Sequence, residues 1–147
     1  MWYYRRGMLW PALTSLFYRT GLGETGLRFF ITLLSTGIVV SSYLLIKEMF
    51  NKKYAILVST CITFSWVILF FTGRPLTNLP ATFFLLTSIL FFWKGYVLKQ
   101  GNKFIYLFGL FFIFSIMTRM QYLMFILPLL IFMFTKEKFR FIPLWVM

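Results

Sequence analysis

The chain has 147 residues, of which 61% are hydrophobic, 23% aromatic and only 12% charged. Fifteen Lys and Arg residues face three acidic residues, which gives a formal net charge of +12, and the mean hydropathy is +0.84. Because a soluble domain carries about 25% charged residues, this composition excludes a soluble globular protein. It predicts an integral membrane protein.

The basic residues cluster in short breaks between apolar runs. Nucleic-acid-binding proteins instead concentrate such residues along one face or groove, so no nucleic-acid partner is expected. Lys and Arg in short loops set the orientation of membrane proteins and meet anionic lipid head groups, which makes the lipid bilayer the expected partner. With no His and a single Cys, Cys61, the chain cannot build a His/Cys metal site or an internal disulfide.

Residues 1–28 are predicted to form an outward-facing segment with an amphipathic helix in the membrane interface. Pro11 lies near the first turn of this helix, where proline is tolerated. The apolar residues on one side of it are Leu9, Leu13, Leu16 and Phe17. The alternative is an ordinary juxtamembrane linker. A signal peptide is not indicated, because Pro11 breaks the apolar part and no small-residue cleavage site follows.

Residues 29–135 are predicted to form an all-α, polytopic membrane bundle with about five transmembrane segments, since a spanning helix needs about 20 apolar residues. The uncharged runs cover residues 29–46, 54–72, 76–93, 104–118 and 120–135. Gly37 and Ser41 form a small-xxx-small pair in the first run, which would let two helices approach closely. Residues 136–147 are interpreted as a cytoplasmic basic stretch followed by the start of a further apolar segment.

The breaks between these runs predict the orientation. They carry three, one, three, one and three basic residues in turn, which is the alternation that the positive-inside rule requires. The lysine-rich loops are therefore expected in the cytoplasm, and the turns at 73–80 and 119–121 are expected outside. The segment before residue 29 would then lie outside as well.

The order of these features resembles that of the GT-C glycosyltransferases, which include dolichyl-phosphate-mannose protein mannosyltransferases and aminoarabinose transferases. In that family an outer loop with amphipathic helices ends in a Leu-Arg pair, matched here by Leu27 and Arg28. A basic loop follows, matched by "MFNKKYAIL" at 49–57. The pattern R-x-x-x-D-x-P-x-x-x-F is matched by residues 74–84, except that Asn78 occupies the position of the Asp.

The resemblance implies transfer of a sugar from a polyprenyl-phosphate donor at the outer face. Such transfer needs a carboxylate that accepts the proton of the acceptor hydroxyl, and cationic or metal help for the departing phosphate. An amide such as Asn78 cannot take a proton at neutral pH, and the family's first acidic motif would precede Met1. We therefore expect a partial glycosyltransferase chain that is inactive alone, and a partner chain could supply the missing segments. No catalytic residue, cofactor or resident metal is assigned, and Glu24 is not interpreted as the base.

Four residues of the outer turns are candidates for contact with the lipid phosphate: Arg74, Asn78, Arg119 and Gln121. The guanidinium fork of Arg74 matches phosphate oxygens. Arg119 ends a run of only fifteen residues, so it is a candidate for a broken-helix cavity, and a charge there is a functional hypothesis by default. The alternatives are that residues 73–80 form a plain turn with a snorkelling Arg74 and that Arg119 anchors the interface.

A second hypothesis, from another functional class, is a non-catalytic membrane subunit or part of a transporter. Transporters often contain broken helices near the midplane, and the short run at 104–118 is the feature that would fit one. Under both hypotheses the chain is expected to be a multi-pass integral membrane protein, in the plasma membrane of a prokaryote or in the endoplasmic reticulum of a eukaryote.

Overall fold

The computed structural model describes residues 7–72, 74 and 76–138, with side chains as far as residue 133. Within these ranges there is no strand, and the all-α prediction is confirmed. The α-helices are α1 (Leu9–Arg19), α2 (Gly23–Met49), α3 (Lys52–Thr63), α4 (Trp66–Phe71), α5 (Asn78–Phe92), α6 (Asn102–Thr118) and α7 (Ile126–Lys138). A π-helical turn, Trp93–Val97, extends α5, and a 3₁₀ helix, Met120–Phe125, precedes α7. Most of the predicted stretch at 136–147 lies outside the described residues.

Two of the described helices are long and apolar enough to cross a membrane. They are Gly23–Met49, with 27 residues, and Asn78–Val97, with 20 residues. Asn102–Thr118 and Met120–Met133 are apolar but shorter than the roughly 20 residues that a bilayer requires. These four helices coincide with four of the five predicted runs, and the number of spans beyond two stays a prediction.

The predicted run at 54–72 is divided into two helices. α3 ends at Thr63, and α4 begins at Trp66 after Ser65, whose backbone is extended at φ −64 and ψ 124. Before the break, the hydroxyl groups of Thr60 and Thr63 donate to the carbonyls four residues earlier, at 2.8 Å each. Such bonds compete with the helical ladder and often bend helices, but Thr32 and Thr36 make the same bonds within the unbroken α2.

α5 lies between α2 and α6. The hydroxyl groups of Ser41 and Thr87 are 3.2 Å apart, and a Cβ atom on Gly37 would lie 2.5 Å from the ring of Phe83. The two residues of each pair are separated by the same number of positions in the sequence, as parallel helices require, so α2 and α5 run parallel. Gly37 and Ser41, the predicted small-residue pair, both lie in this interface. α6 runs antiparallel to α5, since Ser115 donates to the Ala81 carbonyl at 3.2 Å near one end and the rings of Phe91 and Phe104 lie 6.1 Å apart near the other.

α1 packs across the ends of α2, α5 and α6. Trp10 is buried in a cluster with Leu27, Ile31, Ile38 and Leu79, and Leu13 and Phe17 pack against this cluster. Leu16, which was predicted on the same side of the helix, is 56% exposed. A Cβ atom on Gly7 would lie 1.8 Å from the Met117 carbonyl oxygen, so only glycine fits where the chain enters α1. The described residues 76–80 and 119–121 lie at the same end of the molecule. We call it the outer end, because these turns are expected outside.

Candidate functional site

Arg119 lies where the chain reverses at the outer end. α6 ends at Thr118, the backbone of Arg119 is extended at φ −147 and ψ 112, and the 3₁₀ helix begins at Met120. The Arg119 N–H still donates to the Ser115 carbonyl at 2.9 Å. The backbone of Arg119 is therefore fixed by the end of α6, and its half-buried side chain extends to the neighbouring helix α5.

Asn78 receives this side chain. Nη1 of Arg119 donates a hydrogen bond to Oδ1 of Asn78, the first residue of α5. The bond links positions that are 41 residues apart in the sequence. A hydrogen bond to a charged group contributes on the order of 1.5–3 kcal/mol to stability. The pair thus joins the start of α5 to the end of α6.

A second hydrogen bond lies beside this pair. The hydroxyl groups of Thr82 and Tyr122 are 3.0 Å apart. The Thr82 hydroxyl also donates to the backbone carbonyl oxygen of Asn78 at 2.9 Å. Thr82 follows Asn78 by one helical turn, so both side chains lie on the same face of α5. We call Asn78, Thr82, Arg119 and Tyr122 the outer cluster. Neither Thr82 nor Tyr122 was predicted as a site residue; the spacing of Thr82 from Asn78 was the one available signal.

The outer cluster carries one positive charge. An asparagine amide is neutral, so its bond to Arg119 leaves the guanidinium charge in place. Of the acidic residues with described side chains, Glu24 pairs with Arg28 at 2.6 Å, and Glu48 pairs with Lys94 at 3.6 Å. In the ranges that the structure describes, Arg119 therefore has a hydrogen-bond partner but no carboxylate partner.

The other two predicted residues lie apart from the cluster. Arg74 is exposed, and its guanidinium carbon lies 3.9 Å from the centroid of the Phe70 ring, a cation–π geometry. Gln121 is exposed on the 3₁₀ helix, and its neighbour Tyr122 makes the contact with α5. Among the described residues, the structure therefore joins Asn78 and Arg119 of the predicted set, while Gly73 and Pro75 of the turn lie outside the described part.

Comparison with known families decides what kind of protein this is. A sequence profile of the dolichyl-phosphate-mannose-protein mannosyltransferases matches residues 6–144, which is nearly the whole chain. The chain belongs to this family. No curated protein and no solved structure matches the chain significantly. The resemblance to GT-C membrane glycosyltransferases is thereby confirmed at the level of the family.

The two acidic residues with described side chains are each paired with a basic residue of the same chain. Glu24 lies in the first turn of α2, exposed and bonded to Arg28 through two nitrogen atoms. Glu48 lies near the opposite end of the same helix. A divalent metal prefers several oxygen ligands in one place, and no group of three or more metal-ligating side chains occurs among the described residues. The described residues therefore offer no set of ligands for such an ion.

Proposed function

We propose that this mannosyltransferase-family chain contacts the phosphate of a polyprenyl-phosphate sugar, with Arg119 as the cation. The observation that carries the proposal is the hydrogen bond between Arg119 and Asn78 at the outer end of the helices. The family supports a membrane glycosyltransferase. The specific donor and the residues that meet it belong to the proposal.

The chemistry of a guanidinium suits this role. Arg offers five N–H donors in a fixed planar fork and keeps its charge at any physiological pH. One of these donors is directed to Asn78, so others remain for phosphate oxygens, which accept charge-assisted bonds in bidentate geometry. A cation held in place beforehand stabilises the negative charge that develops on a departing phosphate without reorganising during the reaction.

The proton of the acceptor hydroxyl needs a different group. Asn78 occupies the position where the resembling sequences carry an Asp, and an amide does not act as a base at neutral pH. Glu24 is held by Arg28. We therefore propose that the chain on its own binds the lipid phosphate but does not transfer sugar, and that the carboxylate comes from another segment or a partner chain.

We also propose a multi-pass arrangement with the outer cluster on the non-cytoplasmic side. Asn78 and Lys94 lie on the same apolar segment, near its opposite ends. Lys94 is grouped with the lysine-rich loops that are expected in the cytoplasm. The five predicted spans and the interfacial position of α1 are part of the same proposal, and they are supported by the uncharged runs and by the two helices of spanning length.

A lipid titration tests the proposed contact. Polyprenyl phosphate is titrated against the detergent-solubilised chain and against Arg119→Gln and Arg119→Lys, with folding checked by circular dichroism. Loss of one charge-assisted bond costs about 1.5–3 kcal/mol, so Gln is expected to weaken affinity roughly tenfold or more. Arg119→Lys keeps the positive charge but loses the planar fork of the guanidinium, so an intermediate affinity is expected.

Arg19→Gln serves as the matched control. Arg19 is exposed at the end of α1, so its substitution removes the same charge away from the cluster and should leave the affinity unchanged. Equal affinities of the wild type and Arg119→Gln would overturn the proposal. So would an equal loss in Arg19→Gln, because the binding would then depend on net charge alone.

A further inference from the structure

A basic surface lies at the end of the molecule opposite to the outer cluster. It is formed by two turns together with the helix ends that flank them, one between α2 and α3 and one between the π-helical turn and α6. Its lysines are Lys47, Lys52, Lys53, Lys94, Lys99 and Lys103. We call these six residues the inner surface. In the proposed function these lysines only set the orientation of the chain in the membrane.

One ion pair joins the two turns. Nζ of Lys94 lies 3.6 Å from Oε1 of Glu48, and the two side chains are 22% and 30% exposed. Glu48 is next to Lys47 on α2, and Lys94 belongs to the π-helical turn. Because this pair spans from one turn to the other, lysines that are far apart in the sequence lie at one end of the bundle.

The ion pair also separates the lysines into two kinds. Glu48 is the single acidic residue in these two turns, so six lysines and one glutamate leave a charge of +5. Lys94 contacts the carboxylate of Glu48. The other five lysines of the inner surface are all exposed. Their charges are available to a partner outside the chain.

The second turn holds one of these lysines at its tip. The Gln100 N–H donates to the Lys94 carbonyl at 3.0 Å and closes the turn. Within it, Lys99 has φ +52, a left-handed conformation that glycine or asparagine adopts more readily. A lysine at such a position is not required by the turn itself, and its exposed side chain extends the inner surface.

Apolar side chains border the same surface. Phe50 is 66% exposed and Tyr54 is 58% exposed, and both rings lie beside the lysines of the first turn, 6.3 Å apart. Leu98 precedes Lys99 and is 39% exposed. Positive charges next to exposed aromatic and apolar groups match the boundary between lipid head groups and acyl chains, where amphipathic rings accumulate and lysine stems extend toward the aqueous side.

We infer that the inner surface binds the head groups of anionic phospholipids. Clusters of four to eight basic residues beside membrane helices attract anionic lipids, and the five exposed lysines fall within that range. The bordering rings place the partner in the membrane rather than in the aqueous phase. This interaction is independent of the polyprenyl-phosphate site, because the two surfaces lie at opposite ends of α5 and its π-helical extension.

Lipid retention tests the inference. The full chain is purified in detergent, titrated with phosphatidylglycerol or phosphatidylcholine, and the number of lipids retained is measured by native mass spectrometry. The wild type should retain phosphatidylglycerol preferentially. Each lysine near an anionic surface contributes roughly a fivefold change in affinity, so Lys99→Gln should weaken it severalfold and Lys52→Gln with Lys53→Gln by roughly twentyfold or more.

The control again uses a substitution at the other end. Arg19→Gln removes one exposed charge, as Lys99→Gln does, and it should leave phosphatidylglycerol retention unchanged. Equal retention of the two phospholipids by the wild type would overturn the inference. So would retention in the double lysine variant that equals the wild type, or a loss in Arg19→Gln as large as that in Lys99→Gln.

Discussion

The helical segment formed by α5 and the π-helical turn has a contact with a cation at each of its two ends, and the two contacts differ. At the outer end, Arg119 donates to the neutral amide of Asn78. At the inner end, Lys94 faces the carboxylate of Glu48 at 3.6 Å. Each contact ties this helical segment to a neighbour, α6 in the first case and α2 in the second. The geometry is similar, but the net charge that remains is different.

This difference separates a structural contact from a candidate site. In an ion pair the carboxylate neutralises the positive charge of the lysine. An ion pair between partly exposed side chains contributes little to stability. A hydrogen bond from an arginine to an amide orients the guanidinium while the full positive charge remains. The outer end therefore keeps an oriented cation that has no carboxylate partner among the described residues, which is the feature that the proposed phosphate contact uses.

The largest expected effect concerns the sides of the membrane on which the two ends lie. In a Cys61→Ser background, single cysteines at Asn51 and Asn102 should react with impermeant thiol reagents only after the membrane has been opened. A cysteine at Thr77 should react in intact cells, because the lysine-rich turns are expected inside. Labelling of Thr77→Cys and Asn102→Cys from the same side would show that the two ends do not lie on opposite sides of the membrane.

The next effect concerns stability at the outer end. Asn78→Leu removes the acceptor of a half-buried guanidinium, and an unsatisfied polar or charged group costs about 1–3 kcal/mol or more. We expect the free energy of unfolding in mixed detergent to fall by roughly 2–3 kcal/mol. Thr82→Val removes the neighbouring neutral hydrogen bond and should cost about 1 kcal/mol. A smaller loss in Asn78→Leu than in Thr82→Val would contradict the importance of the Arg119 contact.

The smallest effect is expected at the inner end. Lys94→Met with Glu48→Gln replaces the ion pair, and a pair between partly exposed side chains contributes about 1 kcal/mol or less. The same unfolding measurement should therefore change by no more than that amount. A loss as large as that of Asn78→Leu would show that the two ends are energetically equivalent.

The fold class has a local signal in the sequence, and so do Asn78 and Arg119 as individual residues. Composition and uncharged runs indicate helices, and a charge at a helix break singles out Arg119. Asn78 was recognised from the family pattern in which it replaces an acidic residue. Neither signal specified that the two side chains bond to each other, since that contact depends on how α5 and α6 pack.

The contacts of Arg74 and Trp10 also depend on how the helices pack. Arg74 lies in the same predicted turn as Asn78, yet its guanidinium stacks on Phe70, a choice that depends on where α4 ends. Trp10 was not predicted in the core, and it is buried because α1 packs against Leu27 and Leu79. Helices that are apolar all round show no preferred face, so the sequence pattern cannot select the neighbours of any one side chain.

Asn78 holds Arg119 without neutralising its charge, and the substitution Asn78→Asp tests this most directly. An aspartate has nearly the same shape and can accept the same hydrogen bond, so the fold should be retained. Its negative charge at neutral pH would oppose a phosphate and pair with Arg119. We predict that affinity for polyprenyl phosphate, measured by titration of the folded variant in detergent, falls tenfold or more relative to the wild type. Affinity equal to or higher than that of the wild type would contradict the account.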